Sequence, residues 1–384
     1  MSSVCLYFQV HQPFRVKKYS FFDLGKDHHY FDESLNKEVL NKVSDKCYLP
    51  ANALFLDLIK KHDIKITFSL SGVFLEQLEQ YRPDVLASFQ ELVKTGNVEI
   101  LGETYYHSLA FFYSQDEFKR QVQLHDEKVA SLFGVTPKVF RNTELLYNNN
   151  IASCIKKLGY LGSLTEGKDA NLKGRSPNHV YNSLDGLPVL TRNYKLTDDV
   201  AFRFSSKTWK QYPLTSDKYA HWLKSEYGET INLFMDYETI GEHHWEDTGI
   251  FDFWKELPQA VLDKGLQFKT ASETLNSLEA KETFDAPETI SWADTERDLS
   301  AWLGNDMQKE AVKRLFNLEN SIKSNHPELI ETWAKLLTSD LLYYISTKHE
   351  SDGAVHDYFS PFASPYDAYL YLMNILSDLE LSIS

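Results

Sequence analysis

The chain has 384 residues, 42% of them hydrophobic and 25% charged, a composition that excludes disorder, collagen and a coiled coil as the main architecture. Its 40 Lys and Arg against 55 Asp and Glu leave a net charge of −15, which argues against a nucleic-acid partner because phosphate binding needs clustered cations. The three cysteines (Cys5, Cys47, Cys154) are far apart and form no CxxC, as expected in a reducing compartment. No cationic leader precedes the first apolar run, and no run approaches the roughly 18–20 residues of a membrane helix. A cytoplasmic protein without a membrane partner is therefore expected.

The predicted elements alternate along the first 276 residues. Residues 4–10 (VCLYFQV) form a buried strand and 51–62 a helix. The β-branched run 64–70 is a strand. Residues 71–81 and 83–95 are helices, the second opened by Pro83. A strand at 98–101 precedes a long helix at 115–133, which Gly134 can terminate. A strand at 139–141, a helix at 149–158, and strands at 160–164, 189–192 and 231–235 follow. A helix at 251–264 and a strand at 266–269 complete the series. Repeated β-then-α order calls for parallel strands with crossover helices, and seven or eight such units suit an α/β barrel, complete or incomplete. An open doubly wound sheet is the alternative, but the first strand runs into HQPFRV, without the glycine-rich turn of that fold.

Beyond residue 280 the pattern changes. Residues 281–287 (KETFDAP) form a polar linker, and 298–320, 327–348 and 365–381 are helical. The expected organisation is a catalytic barrel at 1–276 and a helical region at 277–384 packed against it. The helical part carries most of the negative charge, with 8 Lys and Arg against 19 Asp and Glu, as a solvated face.

In α/β barrels the active site forms where strands end at their carboxyl side. Polar residues follow strand after strand at that place: His11; Glu103 and His107; Glu144; Asp236 and Glu238. A single His or Glu there is ordinarily a hydrogen-bonded core residue or a helix-starting acid. A whole set at one barrel mouth is costly to bury without a purpose. Two carboxylates on separate strands are the minimum for glycoside cleavage. No GxSxG offers a serine nucleophile. A metal is the rival reading, with His11, His107 and the His243–His244 pair joined by Asp236 or Glu238, although no HExxH exists. A metal-dependent polysaccharide deacetylase and a glucan-binding protein without turnover are the competing classes.

Five ordered segments resemble the motifs of glycoside hydrolase family 57, which acts on α-glucans: His11-Gln12-Pro13; 102–107 (GETYYH); 140–145 (FRNTEL); 234–239 (FMDYET); and SWAD at 291–294 with DLSAWLGN at 298–305. The resemblance implies an incomplete seven-stranded (β/α) barrel with a C-terminal helical part. It also implies a retaining, α-amylase-like hydrolase of α-1,4-glucosidic bonds in α-glucans or maltooligosaccharides, with a 4-α-glucanotransferase as the alternative. Glu144 would be the nucleophile and Asp236 the general acid/base. His11, Glu103 and His107 would hold sugar hydroxyls, and Asp298 and Trp302 would reach in from the helical part, the indole as a stacking surface. Glu238 is either a further substrate contact or a structural hydrogen bond at the barrel rim. If the strand continues past Asp236, Asp236 and Glu238 share a face. No cofactor and no metal is called for. Gln9 stands where some members of the family carry a second histidine.

Overall fold

The computed structural model describes residues 2–348 and 360–383. Its strands are β1 (Ser3–Val10), β2 (Ile66–Leu70), β3 (Val98–Ile100), β4 (Val139–Arg141), β5 (Gly162–Glu166), β6 (Val180–Asn182), β7 (Pro188–Arg192), β8 (Thr230–Asp236), β9 (Gln267–Phe268) and β10 (Glu282–Thr283). All eight residues of β1 are buried, as an uninterrupted apolar run requires when both faces of a parallel strand are covered. β1 lies between β8 on one edge and β2 on the other, and β3 extends the sheet beyond β2. β9 takes the edge of β1 at Ser3–Val4, below the stretch that β2 occupies.

A second sheet runs β4–β5–β7, all parallel, with β6 antiparallel to β7 and β10 outside β6. Two seams join the sheets. At the first, Gly102 donates to the Val139 carbonyl (3.0 Å) and accepts from the Arg141 amide (2.9 Å). A side chain at Gly102 would force a shift here, because a Cβ would collide with the buried Tyr160 ring and hydroxyl. At the second, the Asn193 amide donates to the Asn232 carbonyl (2.9 Å) and Asn232 Nδ2 to the Thr191 carbonyl (2.9 Å). Seven parallel strands thus curl into an incomplete (β/α) barrel, in the order β8, β1, β2, β3, β4, β5, β7.

Several helices match the sequence reading to within a residue or two. Gln115–Phe133 is capped by the Ser114 side chain and ends at Gly134 in the left-handed region (φ 69°). Gly72–Tyr81 is capped by Ser71 and followed by Pro83–Lys94. Three helices not anticipated, Glu33–Val43, Tyr194–Ala201 and Ser216–Ser225, fill the longer connections. The expected polar linker at 281–287 is instead packed on the barrel. β10 pairs with β6, Phe284 and Ala286 are buried, and Asn149 Nδ2 bonds the Asp285 carboxylate at 2.8 Å.

The last part of the chain is helical, including Asp306–Asn317, Ile330–Leu336, Ser339–Tyr343 and Pro365–Ser382. Its apolar core is built around Trp302, Trp333, Leu315 and Leu376, and it also takes in Phe14, Tyr30, Tyr105, Tyr106 and Leu146 from the loops after β1, β3 and β4. The helices are thereby seated over the carboxyl ends of the strands. Among the described residues no helix is long and apolar enough to cross a membrane.

Candidate active site

Two loops at the strand ends hold three non-glycine residues in the left-handed region: His107 (φ 52°) after β3, and Glu144 and Leu145 (φ 54° and 51°) after β4. Each such residue costs on the order of 1–3 kcal/mol, so the surroundings must impose it. They do: the Leu145 and Leu146 amides bond the Asn142 and Thr143 carbonyls, the hydroxyls of Thr104 and Thr143 meet at 2.7 Å, and Leu145 is buried.

The result is a chain of contacts ending on Glu144. His107 Nε2 lies 2.8 Å from Glu144 Oε1, and His107 Nδ1 lies 3.3 Å from Glu103 Oε2. Trp292 Nε1 donates to Glu144 Oε2 at 2.7 Å. Burial disfavours charge on His107, but the two carboxylates outweigh it and push its pKa up to about 9, so an imidazolium sits between two acids. Burial would raise the Glu144 pKa; the His107 hydrogen bond and charge, with Arg141 and Trp292, reverse this and hold it below the usual carboxylate range. The Glu144 side chain remains 24% exposed, open to a substrate.

Asp236 is the last residue of β8, level in register with Gln9 on β1. Among the described residues no side chain or amide donates to its carboxylate. Burial first, then the Glu144 charge, push its pKa up to about 7, against the opposing influence of Arg141, Arg192 and His107. The Glu144 charge thus reaches Asp236, and the two carboxyls are treated oppositely, one held ionised and the other protonated up to neutrality. Gln9 faces the same layer. Its carbonyl accepts from the Tyr7 and Ser69 hydroxyls at 2.9 and 2.8 Å.

His11 joins from β1. Its ring stacks on that of His107 (centroids 4.0 Å apart, planes at 20°), with Nδ1 2.7 Å from the Ser71 hydroxyl and Nε2 2.9 Å from Asp340 Oδ2. Burial and the His107 charge lower its pKa, against Asp340. Asp340 comes from the helical region, tied down by a hydrogen bond from the Ser339 amide to the His107 carbonyl (2.9 Å).

The structure bears on several further expectations. β8 ends at Asp236 and residues 237–239 form a 3-10 turn, so Asp236 and Glu238 do not share a strand face. Glu238 is buried and accepts from the Tyr48 hydroxyl (2.5 Å), itself bonded to Gln12 Nε2 (3.2 Å); burial and then Asp236 raise its pKa to about 8. This is the structural hydrogen bond, one of the two readings of Glu238. Glu103 is fully buried and meets His107 rather than a hydroxyl of a substrate. Trp302 is 2% exposed in the helical core, 6.2 Å from the Tyr343 ring, and offers no open face for stacking. Asp298 accepts from the Ser300 amide (2.8 Å) and hydroxyl.

Sequence reasoning missed Trp292, although it stood within the quoted SWAD segment, and Arg141, two residues before the FRNTEL threonine. Arg141 is buried with its guanidinium 4.9 Å from the Trp292 ring centroid, and its charge acts on Glu103, Glu144 and Asp236. Asp340 carried no sequence signal. Of the His243–His244 pair, His244 is held by the Ser205 hydroxyl and the Val200 and Ala201 carbonyls. Among the described residues no three His, Cys, Asp or Glu side chains are grouped as metal ligands would be.

A sequence profile described as Glycosyl hydrolase family 57 matches residues 5–287. A protein of Methanocaldococcus jannaschii named "Putative alpha-amylase" is 48% identical over 394 residues, spanning 98% of this chain and 84% of that one. An alpha-amylase of Pyrococcus abyssi is 24% identical over 59% of this chain, which spans 32% of that longer protein. Among solved structures, a GH57-type branching enzyme from Pyrococcus horikoshii superposes with a TM-score of 0.71 at 15% identity, covering 98% of this chain and 88% of that one; at such identity the likeness is one of fold.

Proposed function

The chain belongs to glycosyl hydrolase family 57, and from that premise we propose that it cleaves α-1,4-glucosidic bonds in α-glucans with retention of configuration. The observation that carries this reading is the opposite treatment of two carboxyls: Glu144 is kept ionised by His107 and Trp292, while Asp236, without a donor, keeps its proton up to about pH 7. In the first step Glu144 forms a bond to the anomeric carbon as the glycosidic C–O bond breaks, and Asp236 gives its proton to the departing oxygen. In the second, Asp236 takes a proton from water, the water oxygen bonds the anomeric carbon, and Glu144 leaves. Two inversions restore the starting configuration. Retention requires the carboxyls to stand ~5–5.5 Å apart.

His107 has a part in both steps. As an imidazolium on Glu144 Oε1 it favours the free carboxylate, which makes Glu144 a better leaving group in the second step. Glu103 and Asp340 act through His107 and His11. The α-amylase names of the relatives support α-glucan as the substrate class. Three free thiols, two of them buried, support a cytoplasmic setting.

Proton NMR of maltooligosaccharide cleavage tests the reading. The α-anomer should appear first and mutarotate to the β-anomer. A β-anomer as first product would overturn retention. Chains longer than the substrate appearing beside shorter ones would make the chain a 4-α-glucanotransferase instead.

A further inference from the structure

The indole that donates to Glu144 sits on a segment that ordinary backbone preferences would not hold. Residues 290–300 leave the barrel where Ile290 pairs with Tyr147. The Ser291 hydroxyl donates to the Glu144 carbonyl (3.0 Å) and Trp292 Nε1 to its carboxylate (2.7 Å). Beyond them, Asp294 and Arg297 both lie in the left-handed region, at φ 57° and 51°, although neither is glycine. Side chains from three directions fix this shape. Lys168 Nζ donates to the Glu296 and Arg297 carbonyls at 2.7 and 3.2 Å. Lys348 Nζ meets Asp294 (2.9 Å), Glu296 (3.3 Å) and the Ser300 hydroxyl (2.6 Å).

The third anchor is Arg297 itself. Its guanidinium lies 3.7 Å from the Tyr194 ring centroid, with nitrogens 3.4 Å from Glu166 and 3.5 Å from Asp198. The same two carboxylates hold Arg192, at 3.0 and 2.6 Å, and Arg192 Nε donates to the Phe234 carbonyl, two residues before Asp236. Arg192 also lies 5.8 Å from the Trp292 ring centroid. Arg297 and Arg192 therefore share one pair of acids, and through it the loop that carries Trp292 is tied to the strand that carries Asp236.

We propose that Arg297 is a positioning residue for the nucleophile: it holds residues 291–300 in the one shape in which Trp292 donates to Glu144, without touching substrate itself. This rests on Glu144 being the nucleophile. Arginine suits the place because a planar guanidinium can stack on Tyr194 and face two carboxylates at once, which a lysine ammonium cannot.

The test compares W292F, R297M and the double variant. W292F should lower kcat about tenfold, the loss of one hydrogen bond to a charged group, with KM within about twofold, and move the acid limb of the kcat/KM profile to higher pH. R297M should do the same to a similar extent, and the double variant should be no worse than the poorer single one, since both act through one bond. In ¹⁵N-labelled protein the Trp292 indole N–H resonance, assigned by its absence in W292F, should move toward the position of a solvated indole in R297M. K168M removes another anchor of the same segment. It should shift the same resonance in the same direction, and it serves where R297M does not fold. Additive losses in the double variant, or an unmoved indole resonance with an unmoved acid limb in folded R297M, would overturn the proposal. The resonance reads the coupling whatever the catalytic role of Glu144, so turnover retained in E144Q would refute the nucleophile assignment alone.

Discussion

Glu144, at the end of β4, receives hydrogen bonds from His107 at 2.8 Å and Trp292 at 2.7 Å, whereas Asp236, at the end of β8, receives none among the described residues. Both carboxyls are subject to burial that favours the neutral acid. Donors and neighbouring charge separate them: an imidazolium and an indole, with Arg141, keep Glu144 below the usual carboxylate range, and Asp236, facing the Glu144 charge without a donor, rises to about 7. The two carboxyls are driven apart by what surrounds each strand end, not by the residue types.

The harshest way to break the contrast is to remove the ionised partner. E144Q should lose hydrolysis of maltooligosaccharides by about four orders of magnitude or more while still binding them, measured by kcat and by calorimetric titration. Retained turnover would contradict the assignment. D236N should lose about 10²–10⁴-fold on natural glucans but far less on aryl glycosides with good leaving groups, which need little proton help. Equal losses across leaving groups would contradict the acid role.

The pH dependence sharpens the same comparison. On the proposed roles the active form has Glu144 ionised and Asp236 protonated, so kcat/KM should climb through the lowered Glu144 value and fall above about pH 7. A profile still rising at pH 8 would contradict it. The smallest expected effect is on stability. The Asp236 pKa is raised in the folded state from an unfolded value of about 4, so between there and about 7 the native protein binds the extra proton and loses stability as pH rises. D236N removes that loss. Its melting temperature relative to the parent should therefore rise between pH 4 and pH 8, and a constant difference would contradict the raised value.

What could be seen in the sequence divides along physical lines. The strands that wall the site are apolar runs, and the residue after each run is fixed by the end of the strand; His11, Glu103, His107, Glu144 and Asp236 were legible for that reason. The exposure of each was not. The family resemblance placed Trp302 toward a substrate and left Trp292 without a role, yet the fold buries Trp302 among helices and turns Trp292 onto Glu144. Asp340 lies 329 residues from His11, in a helical stretch whose pattern says only that it is helical. β6 and β10, three and two residues long and partly polar, have too little pattern to stand out from loops. Residues 281–287 read as a linker because four of the seven are polar or charged, while Phe284 and Ala286 do the packing.

The central claim, that Glu144 attacks the anomeric carbon while Asp236 holds the proton, is open to direct chemical capture. A 5-fluoro α-glucosyl fluoride slows release of the glycosyl-enzyme more than its formation, and mass spectrometry of the digested protein then locates the sugar. The adduct should sit on the peptide carrying Glu144 and be absent from E144Q. An adduct on the peptide carrying Asp236, or none from an enzyme that turns the reagent over, would contradict the account.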